Sequence, residues 1–522
     1  RAHALRYATL HWQFFDRFVT QDTHWLAPDN FQADPEPVIA MRTSPTNIGL
    51  QLLSTISAHD LGLITAADMT GRLERTFATL ATMRRYRGHF YNWYDLTDLH
   101  VLDPAYISTV DSGNLAGHLV ALRQACLATA AADDTLHERL HAVADAAYRY
   151  VSEMEFGFLY DEERKLFTIG HHPDSFTPDD SFYDLLASEA RLASFIAIAR
   201  NDVPVEHWFR LSRSLTRSAG TTALVSWSGS MFEYLMPVLV MRSLPFTLLS
   251  QTYEGAVDRH VAHARGRNVP WGLSESAYNV RDRHQTYQYR AFGIPDLALK
   301  RGLGRDLVVA PYATALAALI DPPRAITNLC ALESLGALGE YGFCDALDYT
   351  RPDAGTRVAF VRAYFAHHVG MTLVALTNVL LADIYRKKGD MARVTKELNQ
   401  VFANPNLEAG LKARILSSYA GMTGESPAAQ QDALEMAQKL AKTVPNDPKA
   451  QVIMANLLMQ QGKKVEARDA YAKAARLDGS AYEVWTALLQ LDGELNQVDS
   501  LLTHSQQALE VFPTQGLFWY SN

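Results

Sequence analysis

The sequence predicts an all-α chain in two parts, a large helical unit over residues 1–380 and a short helical-repeat solenoid over residues 381–522. Three observations predict this. Apolar residues recur at three- and four-residue steps through the first part, long loops separate those runs, and a 34-residue period marks the second part. Composition changes at the same place: 17 of 18 histidines and 6 of 8 tryptophans precede residue 381, and the remainder is built largely of Ala, Leu, Lys and Gln.

In the first part about a dozen segments carry the helical spacing, for example Phe232, Leu235, Met236, Leu239 and Val240, or Leu249, Tyr253, Val257 and Val261. The loops at 88–112, 157–181, 267–290 and 340–358 are rich in Gly, Pro, Trp and Asp. They exceed the roughly 2–8 residues that join helices in simple bundles, and long loops over a rigid scaffold usually carry the site. A dozen helices in one unit suggest two concentric rings with the loops gathered at one mouth.

In the second part Ala433, Ala467 and Leu501 are spaced by 34, as are Leu440, Ala474 and Ala508. This is the tetratricopeptide period, and Gly462, Ala467, Tyr471, Ala474, Trp485 and Pro513 fall at its signature positions. An earlier unit around Tyr385, Gly389 and Leu398 brings the expected count to three or four. Such repeats stack into a concave surface, so a protein partner is an expectation for this part, with simple capping of the first unit as the alternative.

The net charge of −9 and the absence of a basic cluster argue against a nucleic-acid partner. No apolar run approaches the ~18 residues needed to span a bilayer, so no direct membrane insertion is expected. The chain starts at Arg1 without the pattern of a signal peptide and reads as a piece of a longer protein. Cys126, Cys330 and Cys344 lack CxxC spacing, which predicts free core thiols and a reducing compartment.

The apolar pattern of Phe182, Leu185, Leu186, Ala193 and Ile196 predicts one helix over 182–201, with Glu189 on the buried stripe. Burial there raises a carboxyl pKa toward the range of a general acid, unless Arg191 pairs with it. A second acid, Glu275, follows the helix-breaking Pro270 and Gly272 and is flanked by Trp271 and Tyr278. The alternative there is a solvated Glu275 in a capping loop of Ser274 or Ser276. Asp95, Asp98, Asp111, Glu233, Glu340, Asp345 and Asp348 also sit beside aromatics or glycines. With Trp93, Tyr94, Asn114 and Trp227 they supply stacking faces and short polar groups of the kind that sugar subsites need.

Other chemistries are poorly supported. His367 and His368 are adjacent, so on a helix they diverge by about 100°, which suits packing better than one metal, and no HExxH occurs. RGLGRDL at 301–307 has no strand before it, and neither a GxSxG elbow nor a phosphate-binding loop is present. No cofactor and no metal are expected.

The strings RTSPTNIGL (42–50), GHFYNWYD (88–95), VDSGNLAGHL (110–119), YDLLASEARLASFIAIA (183–199), SGSMFEYLMP (228–237), PWGLSESAYN (270–279), YQYRAFGIPDLALKRGL (287–303) and VVAPYATALAALIDP (308–322) together resemble the glucoamylase-like domain of cyclic β-1,2-glucan synthases. The likeness runs from about residue 1 to about 378. It implies an α/α toroid that acts on β-1,2-glucan by anomer-retaining transglycosylation, closing linear chains into rings. It also implies a cytoplasmic location, on the inner face of a membrane within a larger membrane protein. Retaining chemistry needs a nucleophile and an acid/base. The resemblance implies Glu275 for the first and Glu189 for the second, a position that matches the acid of related endo-β-1,2-glucanases, where the acid works through a substrate hydroxyl. The same family suggests Trp93, Tyr94, Asp95, Asp111, Asn114, Trp227, Glu233, Trp271, Tyr278, Tyr287, Tyr289 and Asp345 as substrate-binding. Two positions depart from its pattern, Val369 where a Gln is usual and Asp345 where a Glu is common. The likeness ends near VALTNVLL, where the family continues into a phosphorylase-like domain and this chain continues into repeats, a junction either natural or chimeric.

Overall fold

Several helices begin where the sequence supplies a cap. Ser44, Thr65, Ser108, Thr247 and Asp321 each accept a backbone N–H of the first turn of the helix that follows, and Pro45 and Pro322 occupy first-turn positions where no N–H is needed. The computed structural model describes residues 1–218, 220–387, 416 and 427–521. It divides into two units, Arg1–Ala382 and Asp383–Asn522.

The helices of the first unit alternate between two burial patterns. Ala2–Phe18, Ala66–Leu80, His137–Glu153, Glu206–Arg210, Leu248–Arg265 and Pro322–Ser334 bury one face. Each is followed by a helix buried nearly all round along at least its first turns: Pro45–Asp60, Thr109–Ala130, Arg191–Ala199, Met231–Leu235, Pro311–Ala317 and Ala366–Lys387. A helix without a polar face must be covered on every side, so the second set forms an inner ring and the first an outer ring. This is the α/α toroid. Inner helices meet closely: a Cβ at Gly113 would lie 2.5 Å from the Ala193 Cα, so glycine lets Thr109–Ala130 approach Arg191–Ala199.

The expected loops are better ordered than their composition implies, since much of their length pairs into short antiparallel ribbons. Phe182–Tyr183 pairs with Leu166–Thr168, Ser276–Arg281 with Tyr287–Arg290, and Ala346–Asp348 with both Val308–Val309 and Ala359–Val361. Consequently the single helix expected over 182–201 does not form. Phe182–Tyr183 is extended, Leu185 bridges to Ser212, and the helix starts only at Arg191. The expected helix through Val240 also stops early, at Leu235, because Pro237 lacks the N–H needed to continue it; a 3-10 turn follows over Met236–Leu239.

In the second unit helices Pro448–Gln460 and Lys464–Leu477 are followed by Tyr482–Glu494 and Val498–Val511. From Pro448 to Tyr482, and from Lys464 to Val498, is 34 residues in each case, consistent with a helical repeat. Ala433 and Ala467 are buried at one equivalent position and Ala474 and Ala508 at another, and Gly462 makes the turn at φ +71°. Gly389 and Leu398, assigned to an earlier repeat, lie outside the described residues, as does the side chain of Tyr385. Among the described residues no helix is long and apolar enough to cross a membrane.

Candidate active site

Glu189 lies in the turn immediately before the inner helix Arg191–Ala199, not on a helix as its sequence pattern predicts. Ser188 holds this turn, its hydroxyl accepting the Ala190 N–H at 3.2 Å and donating to Glu189 Oε2 at 3.3 Å. The pairing of Glu189 with Arg191 does not occur either. The Arg191 guanidinium donates to the carbonyls of Ser188, Glu233 and Tyr234 and to the Tyr253 hydroxyl. Burial, then the charges of Glu233 and Glu275, raise the Glu189 carboxyl to about 8.

Glu275 directly precedes the strand Ser276–Arg281, in which Ala277 faces Tyr289. Alternate strand residues share a face, so the Glu275 and Tyr289 side chains meet over the small Ala277. The Tyr289 hydroxyl donates to Glu275 Oε1 at 2.9 Å. Tyr312 donates to the Glu275 carbonyl at 2.9 Å and its oxygen lies 2.8 Å from the Ser274 hydroxyl, while Ser274 Oγ accepts the Phe232 N–H at 3.1 Å, in the first turn of Met231–Leu235. Burial raises the Glu275 carboxyl to about 7 against the opposing Tyr289 bond, and the charges of Glu233 and Asp111 add to the rise.

Glu233 is held mainly through one of its oxygens. Its carboxylate accepts the N–H groups of Ser228 and Ser230 and the hydroxyls of Ser226, Ser228 and Ser230, at 2.6 to 3.2 Å. A capping box at the start of Met231–Leu235 fixes it, with Oε2 taking most of these bonds and Oε1 only the Ser228 N–H. Its charge acts on both Glu189 and Glu275, raising each.

Asp111 stands in the first turn of Thr109–Ala130 and accepts from the Thr46 hydroxyl at 2.6 Å and Asn92 Nδ2 at 3.1 Å. Asn114 donates to the Thr46 hydroxyl at 3.1 Å, while its Oδ1 and that of Asn92 are buried acceptors with no protein partner. The Tyr183 hydroxyl is raised well above its ordinary value by burial and by the charges of Glu189, Asp111 and Glu275, so these groups act on one another electrostatically.

Several expected contacts are corrected by burial. Tyr94 is fully buried and donates to the Arg84 carbonyl at 2.5 Å, Tyr287 packs in a core, and Trp271 lies in the main core with its backbone tied to Asn328. None of the three offers an open face for stacking. Asp345 is interior: Oδ2 accepts the Ala277 N–H at 2.7 Å and Oδ1 lies 2.6 Å from His368 Nδ1, so it does not reach substrate. The Tyr278 ring is held by the guanidinium groups of Arg290 and Arg351, each 5.0 Å from its centroid. Asp95 turns back on Thr97, Asp98 pairs with His100, Asp348 accepts local backbone N–H groups, and Glu340 is exposed. Trp93 lies under the Arg42 guanidinium at 4.7 Å, and Trp227 is 59% exposed.

Sequence reasoning missed Tyr312, Tyr183 and the part played by His368. The His368 ring stacks on Tyr312 with centroids 3.7 Å apart, and its Nε2 lies 3.1 Å from the Tyr289 hydroxyl. The adjacent histidines were visible, but only the fold brings the ribbon of Tyr289 against them. Among the described residues no cluster of three His, Cys, Asp or Glu is arranged to hold a metal ion.

The Glycoamylase family model matches residues 181–388, which include Glu189, Glu233, Glu275 and His368. The cyclic beta-(1,2)-glucan synthase NdvB of Rhizobium meliloti is 37% identical over 489 residues, covering 71% of this chain; the chain spans 17% of that relative. Among solved structures, the endo-beta-1,2-glucanase of Chitinophaga pinensis, in complex with sophorotriose and glucose, superposes with a TM-score of 0.59 at 14% identity, covering 83% of this chain and 97% of that one. The endo-beta-1,2-glucanase of Talaromyces funiculosus, in complex with sophorose, gives 0.59 at 14% identity, covering 74% and 86%. At such identity these two establish the fold alone. The chain therefore carries a glucoamylase-like domain, homologous to part of cyclic β-(1,2)-glucan synthase.

Proposed function

We propose that the first unit cleaves and rejoins β-1,2-glucan with retention, with Glu275 as nucleophile and Glu189 as acid/base. The observation that carries this reading is a pair of carboxyl groups that act on one another electrostatically and are made unlike by their partners. Glu275 receives a hydrogen bond from Tyr289, which favours its anion, whereas Glu189 has one long bond from Ser188 and two anions nearby, which favour its acid form. In the first step the Glu275 carboxylate forms a bond to the anomeric carbon. The bond to the departing sugar oxygen breaks, and Glu189 gives that oxygen its proton. In the second step Glu189 takes a proton from the incoming hydroxyl, which displaces Glu275. If that hydroxyl is the chain's own non-reducing end, the product is cyclic.

The name of the homologous synthase supports the substrate. Incubation with linear β-1,2-glucan, followed by separation of cyclic from linear products, tests the reading. Cyclic products at constant linkage number are expected. Shorter linear chains alone would mean hydrolysis, and unaltered glucan that still binds would make the toroid a glucan-binding scaffold.

A further inference from the structure

We infer that Tyr289 is a positioning residue for Glu275, and that Asp345 and His368 set the direction of its single hydroxyl proton. Only the role given to Glu275 rests on the proposed function; the hydrogen-bond chain stands on geometry. The Tyr289 oxygen lies 2.9 Å from Glu275 Oε1, 3.1 Å from His368 Nε2 and 3.3 Å from His367 Nε2. It has one proton to give, and a neutral imidazole carries one N–H.

Two arrangements satisfy the chain. If His368 is protonated on Nε2, it donates to the Tyr289 oxygen and frees the hydroxyl proton for Glu275. Its Nδ1 is then bare, and the 2.6 Å contact with Asp345 Oδ1 requires the proton on Asp345. If His368 is protonated on Nδ1 it donates to an Asp345 carboxylate, and its bare Nε2 competes with Glu275 for the Tyr289 proton. The proton on Asp345 therefore decides which way the whole chain points.

The surroundings favour the first arrangement below neutrality, and the two exchange near pH 7. Both side chains are interior, and burial raises the Asp345 carboxyl to about 7 while holding the His368 imidazole well below its ordinary value. The groups facing them titrate elsewhere. Burial takes His11 down to about 4 and His367 to about 3, pushes Cys344 up to about 12, and raises Tyr312 and Tyr364. Lys300 adds a positive charge that acts on Glu275. The backbone is held by the same cluster, since Tyr312 stacks on His368 and donates to the Glu275 carbonyl, and Asp345 accepts from Ala277.

An asparagine at 345 reproduces the first arrangement at every pH. Its oxygen accepts the Ala277 N–H and its Nδ2 donates to His368 Nδ1, as the protonated acid does. A carbon-13 NMR titration of the glutamate δ-carboxyls in the whole chain, with Glu275 identified by its loss in Glu275→Gln, reads the effect without needing turnover. Tyr289→Phe is expected to raise the Glu275 titration by about one pH unit, because a bond to its anion is lost. Asp345→Leu is expected to raise it in the same sense, and Asp345→Asn to leave it near the wild-type position, with circular dichroism confirming the fold of each. An unmoved Glu275 titration in Tyr289→Phe, or an Asp345→Asn shift as large as that of Asp345→Leu, overturns the inference. Turnover of linear β-1,2-glucan by the unaltered chain, assayed alongside, tests the proposed function separately.

Discussion

The Arg191 guanidinium turns away from Glu189, two residues before it, and bonds instead to the carbonyls of Ser188, Glu233 and Tyr234. The arginine that would have neutralised the acid builds the wall behind it. Among the described residues Glu189 forms no ion pair, and the charges acting on it, from Glu233 and Glu275, have its own sign. A carboxyl so placed keeps its proton at neutral pH and can deliver it.

Replacing either carboxyl removes an ionisable group without opening a cavity. Glu189→Gln and Glu275→Gln are each expected to lower kcat on linear β-1,2-glucan by on the order of 10³-fold while leaving the circular dichroism spectrum unchanged. Near-normal turnover by either variant would remove that residue from the mechanism.

The same environment costs stability. An unfolded Glu releases its proton near pH 4.3, whereas folded Glu189 holds it to about 8. Between those limits the unfolded state binds fewer protons, so this group's contribution to stability falls as pH rises from about 4.3 to about 8. It is flat below that window and constant above it. Glu189→Gln should therefore melt higher than the unaltered chain at pH 8, by roughly 3–6 °C, with the difference vanishing toward pH 4.5. Melting curves at the two pH values decide it; a difference independent of pH would mean that ionisation of Glu189 is not the cause.

Arg191 is expected to matter for stability more than its place beside an acid suggests. Arg191→Leu leaves buried carbonyls without donors and should destabilise the first unit by about 3 kcal/mol, seen as a lower denaturant midpoint. Arg191→Lys should recover little, because one ammonium cannot reproduce the planar fork that reaches Ser188, Glu233 and Tyr234 together. Recovery of most of the loss by lysine would show that charge alone suffices.

The helices were legible from their periodicity, whereas their closure into a toroid and the choice of Glu189 and Glu275 among many acids came from the family resemblance. What stayed hidden depends on chain reversal. The stripe from Phe182 to Ile196 is genuinely apolar, yet Phe182–Tyr183 is drawn into a ribbon with Leu166–Thr168, and a short apolar run does not distinguish strand and turn from helix. Trp271 looked like a platform because loops and aromatics suit ligands, but Asn328, 57 residues away, ties its backbone into the core. The role of His368 required Asp345, Tyr312 and Tyr289, which come from three other elements. The Ser226, Ser228 and Ser230 spacing before Glu233 did announce a capping box, which would have marked that acid as structural.

Trp227 is the most exposed of the aromatic residues predicted to contact substrate. It is 59% exposed, while its carbonyl accepts the Lys300 N–H at 2.8 Å, so the backbone is fixed and the indole is free. The segment leads directly into the serines that hold Glu233, whose charge acts on both proposed catalytic acids. An aromatic face presented on that anchor suits a sugar ring at a distance from the bond being broken. Contact of this kind binds ground state and transition state alike, so Trp227→Ala should raise KM for linear β-1,2-glucan by roughly 5–30-fold with kcat within a factor of two. Because the indole contributes little to the core, the melting temperature should stay within about 1 °C. Steady-state kinetics on chains of defined length checks the split. A fall in kcat with KM unchanged would place the indole against the reacting sugar instead, and no change in either would leave Trp227 outside the path of the glucan.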